Sequence, residues 1–488
     1  MRDGRCVPVR ASYEGASHGR RMAGKGTVAT GPNMPLARSL PLLQSRSRNA
    51  TRNNAYAQGA RDAYVSNLVG SGIRPDWKND EVQTLWDSWV KQADAEGVDS
   101  FYGLQSIAAA SEFEAGEVLT RFRFRRPSDG LVVPLQVQLI ESDHLDPAHS
   151  RIDGDRLIKM GIEFNAIGQR AAYHLWRFHP HEKLTAGANA RTAVPADSVL
   201  HLYRRTRPGQ LRGIPALTSV IIRLYEIDEM QDAQLARQKL GQLFGAFVKR
   251  KTVEPEDELP NFGEAVGSHV SLPGETEPLN EFTPGAIHFL DDDEEVTFSA
   301  PPDIGGSYTS WLRTELLAVG RGAGITYEQL TGDLQGVNFS SIRAGLLEFR
   351  RRIEALQAHL MVHQWCQPIG AKFLDTAIIS GAVEIENYWR DREQHLAIDW
   401  IAPKWTWVDP LKEVTADILE VRAGFDSRAA KAAERQWSLR DLDAAIEAGQ
   451  QSAIDHGLVF DSDPAQTNSS GAVQTALDII RQTEEEDQ

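Results

Sequence analysis

The sequence predicts an α+β fold in several lobes, on three features. Alternating apolar and polar residues between Glu117 and about Val199 mark a strand-rich region. Apolar residues recurring at three- and four-residue spacing on either side of it mark helices. Between Lys249 and Pro302 the chain is rich in proline, glycine and acids, so an insertion interrupts the helical pattern. A chain of 488 residues has room for more than one buried core.

Taken in order, residues 1–48 combine Gly, Ser, Ala and Arg with Pro32, Pro35 and Pro41. That composition buries little, so the segment is expected to stay mobile, or to fold only against a partner, as the one basic part of an acidic chain. Asn53 to Leu68 reads as a helix with Tyr56, Ala60, Tyr64 and Leu68 on one face, ended by Gly70 and Gly72. Val82 to Val90 reads as a short helix with Leu85, Trp86 and Trp89 inward. Val118–Phe124, Leu135–Ile140, Met160–Phe164 and Ala172–Phe178 read as strands. Gly213-Ile214-Pro215 is expected to open a long helix whose later turns, Gln231 to Gln242, are too polar for a single core.

Within the insertion, Ala286–Leu290 and Glu295–Phe298 are strand candidates. Helix resumes at Tyr308–Val319, and a glycine-bearing loop leads to a further long helix. There Ile342, Leu346, Phe349, Ile353, Leu356 and Leu360 form one apolar seam, with Ser340 or Ser341 placed to cap its start. Lys412–Gly449 reads as helical, and the acidic end beyond Asp461 as a disordered tail.

Composition narrows the function. A net charge of −16 argues against a general nucleic-acid binder that works by neutralising phosphates. It leaves room for a protein that surrounds DNA without gripping it. With only Cys6 and Cys366 there is no disulfide framework or four-thiolate metal site, and a reducing setting fits. No apolar run is long enough to predict a membrane span, and the arginine-bearing N-terminus lacks the apolar core of a secretion signal. The expectation is a soluble, intracellular chain.

Candidate chemistry dissolves on inspection. Gly19-x-x-x-x-Gly24-Lys25 has P-loop spacing, but Gly26 stands where Mg²⁺ binding needs Ser or Thr, and no strand precedes it. Gly320-x-Gly322-x-Gly324 follows a helical pattern and reads as a hinge, not a dinucleotide turn. His174, His179 and His181 have no carboxylate pair at ligand spacing and read as a surface turn. The acidic run Asp291-Asp292-Asp293-Glu294-Glu295 lacks the spaced ligands and glycine of a calcium loop. Nothing asks for catalysis, a cofactor or a metal.

Several blocks, in collinear order, resemble the lambda-type portal proteins of tailed phages. They are Arg52-Asn53-Asn54-Ala55-Tyr56 with Val69-Gly70-Ser71-Gly72-Ile73, Leu139 to Leu145, and Gly161 to Asn165. The most specific is His201-Leu202-Tyr203-Arg204-x-x-Arg207-Pro208-Gly209-Gln210-x-Arg212-Gly213-Ile214-Pro215. Gly332-Asp333 through Arg343 and Trp407-x-Asp409-Pro410-x-Lys412-Glu413 complete the set, so the likeness spans roughly Arg48 to Gly449.

The resemblance implies a portal fold assembled as a ring, typically of twelve copies, at one capsid vertex of a virion put together in the bacterial cytoplasm. Double-stranded DNA would be packaged through it by the terminase large subunit and later ejected. Further partners would be the major capsid protein and head–tail connector or adaptor proteins, with no membrane. The derived layout maps onto a flexible segment at 1–48, a wing of helices and a β-rich lobe at 49–210, and a first stem helix at 211–247. A clip at 248–305, a second stem helix at 306–325 and a channel loop at 326–341 follow. A long channel helix with the rest of the wing occupies 342–409, a helical crown 410–462, and the acidic tail 463–488. Gln335, Asn338 and Arg343 are then the candidate DNA-facing residues, although Arg343 reads equally well as a helix-surface charge paired with a neighbouring subunit. Asp291, Asp292, Asp293 and Glu294 are the candidate clip contacts to terminase or connector. Two other readings stay open: a different phage head or connector protein, and an ATP-driven packaging enzyme, which the broken P-loop disfavours.

Overall fold

The computed structural model describes residues 29–154, 156–182, 190–242, 246–250, 294–298, 307–335, 339–405, 410–435 and 437–458. The fold is α+β. The chain separates into two compact units, Met1–Leu224 with Leu316–Gln488, and Tyr225–Glu315.

The larger unit begins with α1 (Asn33–Asn53) and α2 (Ala55–Leu68), joined at Asn54, whose side chain accepts the Ala57 N–H and caps α2. Part of the segment expected to be mobile is therefore helical. Leu36 and Leu40 are buried, and Gln44, Ser47, Ala50 and Thr51 continue the inward face. The Gln44 side chain donates to the Ala115 carbonyl (3.0 Å), and Asn33 both donates to the Gly209 carbonyl and accepts the Leu211 N–H (2.9 Å each). The partners that order this stretch are Ala115, Gly209 and Leu211 of the same chain. Residues 1–28 lie outside the described residues.

After β1 (Arg74–Asp76), α3 (Asp80–Trp89) starts at Asn79, whose side chain takes two backbone N–H groups. Helix α4 (Phe101–Ala115) runs from the Ser100 cap to Gly116, which adopts φ 83°. Strand β2 (Glu117–Phe124) lies between β3 (Leu135–Ile140) and β9 (Val199–Tyr203) in an antiparallel sheet. A five-stranded antiparallel meander is formed by β4 (Arg151–Asp153), β5 (Arg156–Lys159), β6 (Ile162–Phe164), β7 (Arg170–Trp176) and β8 (Arg191–Pro195). Leu119 and Val199 of the first sheet pack with Ile162, Tyr173, Leu175 and Val194 of the second.

Pro215 leads first into a 3-10 turn, Ala216–Ser219, and α5 (Ile221–Gln242) starts only after it. Leu217, Ile221, Leu224 and Ile227 are buried. In the smaller unit, β10 (Ala246–Arg250) pairs antiparallel with β11 (Glu294–Phe298). The Ala286–Leu290 strand candidate and the acidic tail lie outside the described residues.

Helices α6 (Ser307–Ala323), α7 (Tyr327–Thr331) and α8 (Phe339–Leu356) follow. Helix α8 continues through a π-helical stretch, Gln357–Cys366, into α9 (Gln367–Ser380). Of the expected seam, Phe349, Ile353 and Leu360 are buried and Leu346 and Leu356 half-buried. The wider π turns bring Gln357, Met361, Trp365 and Cys366 inward as well. The short α10 (Arg392–His395) precedes β12 (Asp399–Ile401), which pairs with β1. Helices α11 (Pro410–Arg422), α12 (Arg428–Glu434) and α13 (Leu439–Asp455) finish the described chain.

The core of this unit is aromatic. Trp86 meets Phe373 edge-on at 4.9 Å, and Phe101 stacks on Trp365 at 5.1 Å. Two of its indole N–H groups find acceptors, Trp89 at the Leu135 carbonyl (2.7 Å) and Trp365 at Thr120 Oγ1 (2.9 Å), while that of the buried Trp77 has none among the described residues.

Candidate functional site

The loop between α6 and α8 is half built of helix. Gly324, at φ 81°, ends α6, and its missing side chain leaves space filled by the Arg352 guanidinium; a Cβ there would overlap it. Thr326 then caps α7 in a reciprocal box, with Gln329 Oε1 accepting the Thr326 N–H (3.1 Å) and Thr326 Oγ1 accepting the Gln329 N–H (3.3 Å). Leu330 is buried, and its carbonyl lies against Gly59 of α2. Gly332 closes the helix at φ 70°.

Asp333 stiffens the exit. One carboxylate oxygen accepts the Gln335 N–H (2.9 Å), the other faces the Tyr327 hydroxyl (3.4 Å), and Thr331 Oγ1 accepts the Asp333 N–H (3.1 Å). Leu334 and Gln335 are exposed beyond this anchor. Asn338 lies outside the described residues, as does the Arg343 side chain, although position 343 is within α8. Helix α8 begins at Phe339, so Ser340 and Ser341 lie within its first turn and neither occupies the expected cap position before it. Of the acidic run, Asp291, Asp292 and Asp293 lie outside the described residues, and Glu294 opens β11, its backbone opposite Arg250.

The mount behind the loop is braced in two places. Gln357 donates from the π-helical stretch to the carbonyls of Leu68 (3.1 Å) and Pro403 (3.0 Å). Near the loop base, Tyr64 donates to Glu112 Oε2 (2.8 Å), both buried. Burial pushes the Glu112 carboxyl above its ordinary range, against the charges of Arg204 and Arg352 and the Tyr64 hydrogen bond. Arg352, seated on Gly324, therefore links the loop base to the α2–α4 packing.

A second buried construction ties β2 to β9 and to the segment that follows it. Arg212 donates two bonds from its ε nitrogen to Glu117 (2.8 and 3.0 Å) and a third from Nη2 (2.6 Å). It also donates to the Leu145 (2.7 Å) and Ser142 (3.2 Å) carbonyls. Glu117 further accepts the Gly213 N–H (2.8 Å) and bonds His201 Nε2 (2.9 Å). Burial alone would raise the Glu117 pKa, but Arg212 and His201 hold it down at about 2. Burial lowers His201 to about 4, so its neutral ring donates from Nε2 to the carboxylate. Gly116 and Gly213 let two backbones cross where a Cβ would collide with the opposite strand of chain. The motif His201 to Pro215 thus ties itself to Glu117 at the start of β2. Its arginine was visible in the sequence; its carboxylate, 95 residues earlier, was not.

Among the described residues, this geometry pairs no nucleophile with a base in an open cleft. It presents a polar loop tip on a rigid base. No helix of the described residues is long and apolar enough to cross a membrane.

The family model described as "Phage portal protein, lambda family" matches residues 18–357. The "Probable portal protein" of Halomonas phage phiHAP-1 is 24% identical over 402 residues, covering 77% of this chain and 73% of that relative. "Portal protein B" of Escherichia phage lambda is 21% identical over 450 residues, 80% of each. Among solved structures, a chain in the neck of a native gene transfer agent particle is 13% identical, with 81% of this chain and 92% of that one covered and a TM-score of 0.44.

Proposed function

The chain belongs to the lambda family of phage portal proteins, and we propose from that premise that copies of it close into a ring, of twelve subunits, through which double-stranded DNA enters and leaves the head. The family match over residues 18–357 carries this reading, and the segments read here as wing, stem helices and loop fall within that range. Helix faces left open in the single chain support it: Ile222 is 71% exposed, Leu317 48% and Leu347 39%. Rings close by heterologous contacts, and such faces suit a neighbouring copy.

In this reading Gln335, Asn338 and Arg343 brush the DNA backbone, while a net-acidic wall keeps the duplex from sticking. Asp291, Asp292, Asp293 and Glu294 meet the terminase large subunit and later the connector proteins, and the ring sits among major capsid protein subunits at one vertex. The role is structural, not enzymatic. Alanine at Gln335, Asn338 and Arg343 tests the DNA-facing assignment: packaged genomes are expected to be retained less well while rings still form. Unchanged packaging and retention would remove these residues from the channel.

A further inference from the structure

The turn after β3 and the turn after β7 each present two metal-ligand side chains one residue apart. Glu141 and Asp143 flank Ser142; His179 and His181 flank Pro180. No carboxylate pair accompanies these histidines at ligand spacing in the sequence. Folding supplies the carboxylates from 38 residues away, with Glu141 Oε2 at 3.0 Å from His179 Nε2. Asp143 Oδ1 lies 3.6 Å from His181 Nε2. Ligand atoms of Glu141, Asp143 and His179 all fall within 4.8 Å of one another.

The 3.0 and 3.6 Å pairs lie near the roughly 3.3 Å that bonds of about 2.0–2.1 Å at tetrahedral angles set between neighbouring ligand atoms. His181 stands outside the group of three, and its exposed side chain would have to turn inward to become the fourth ligand. Two imidazoles and two carboxylates, without a thiolate, are a donor set suited to Zn²⁺. The surroundings orient the donors. Arg48 bonds Asp143 Oδ2 at 2.6 Å, which leaves Oδ1 turned toward His181. The His144 ring packs edge-on against His179 at 5.5 Å while its Nδ1 lies 2.9 Å from the Trp176 carbonyl. Asp143 and His179 form a sheltered floor, 11% and 20% exposed, and Glu141 and His181 an open mouth, 55% and 72% exposed. An ion can enter from solvent without unfolding the wing. His179 Nδ1 accepts the His181 N–H at 3.3 Å, so entry at Nε2 shifts the ring proton to Nδ1 and exchanges that long bond for the metal bond.

We propose that Glu141, Asp143, His179 and His181 bind one Zn²⁺ ion, which staples the β3 end of the three-stranded sheet to the turn after β7. The proposal is independent of ring formation. Its test uses the full-length chain stripped with chelator and titrated with Zn²⁺ by calorimetry and with Co²⁺ by visible absorption. One ion per chain is expected, with the intense Co²⁺ bands of four-coordinate geometry and a higher unfolding temperature with Zn²⁺. The His179→Ala/His181→Ala variant should lose the bands and the stabilisation, and Glu141→Gln should weaken binding about tenfold or more. Both changes lie on partly exposed turns, and matching circular dichroism establishes that the variants fold. No binding, or Zn²⁺ binding and Co²⁺ spectra equal in wild type and both variants, would overturn the proposal.

Discussion

Two ion clusters, one in the wing and one in the C-terminal helices, hold the chain by opposite means. Glu117, His201 and Arg212 are sealed from solvent, and every hydrogen-bonding group of the Arg212 fork faces an acceptor. Lys431 instead gathers Glu420 (2.6 Å), Asp417 (2.9 Å), Asp426 (3.2 Å) and Glu434 (3.5 Å) at the surface. Around it Ile418, Leu419 and Phe425 are exposed, and of α12 only Ala432 is buried. A buried tie fixes geometry, because losing one partner strands a charge in a medium that cannot solvate it. A surface cluster is screened and replaceable. The sheets around Glu117 therefore have the construction of a frame, while the C-terminal helices keep apolar faces that no described residue covers.

The contrast can be broken most strongly at Arg212. Arg212→Ala should cost about 3–5 kcal/mol in denaturant unfolding, because Glu117 stays buried and unpaired. Trp365→Ala should cost about the same, through the cavity left beside Phe101 and the orphaned Thr120 hydroxyl. A loss under about 1 kcal/mol at Arg212, the range of a surface pair, would erase the distinction.

Acid sharpens it. The His201 pKa falls from 6.5 in the unfolded chain to about 4 in the fold, so unfolding takes up a proton below 6.5 and stability declines as pH drops toward 4. The Glu117 pKa falls from 4.5 to about 2, which adds a further decline below 4.5. Unfolding midpoints measured from pH 7 to 3 should fall throughout, and His201→Gln should flatten the upper part of that slope. At the weak end, Lys431→Ala should cost no more than about 1 kcal/mol at low salt and less in 0.5 M salt. Alanine at Gln335 should leave stability within about 0.5 kcal/mol, since its side chain projects beyond the Asp333 anchor.

How much of this was legible follows from which side chains do the packing. Helix α2 could be read because Ala60, Tyr64 and Leu68 carry the pattern in apolar form. Strand β2 exists where the alternation puts it, but its burial does not alternate: Glu117 to Thr120 are all buried, with Arg212 and Trp365 covering the two polar ones, and Phe124 is 57% exposed. Helix α1 escaped because its inward face passes from Leu36 and Leu40 to Gln44, Ser47 and Thr51, which a hydrophobic count scores as solvent-facing. Helix α4 buries Gln105 and Glu112 for the same reason, each satisfied by a distant partner: Gln105 by the Ile73 backbone and Glu112 by Tyr64. The sequence pattern puts a loop between two helices, but α7 inside it rests on the Thr326–Gln329 box and the buried Leu330, a single turn too short for helical period to mark. The Glu117–Arg212 tie and the Glu141, Asp143, His179 and His181 cluster join residues 38 to 95 apart, beyond any local spacing rule.

The central claim, a rigid wing that carries a loop into a shared channel, is tested most directly by negative-stain electron microscopy of the purified chain. The account predicts closed rings, of twelve subunits, with a central hole wide enough for a DNA duplex of about 20 Å. Monomers or open filaments under conditions where the wing is folded would contradict it.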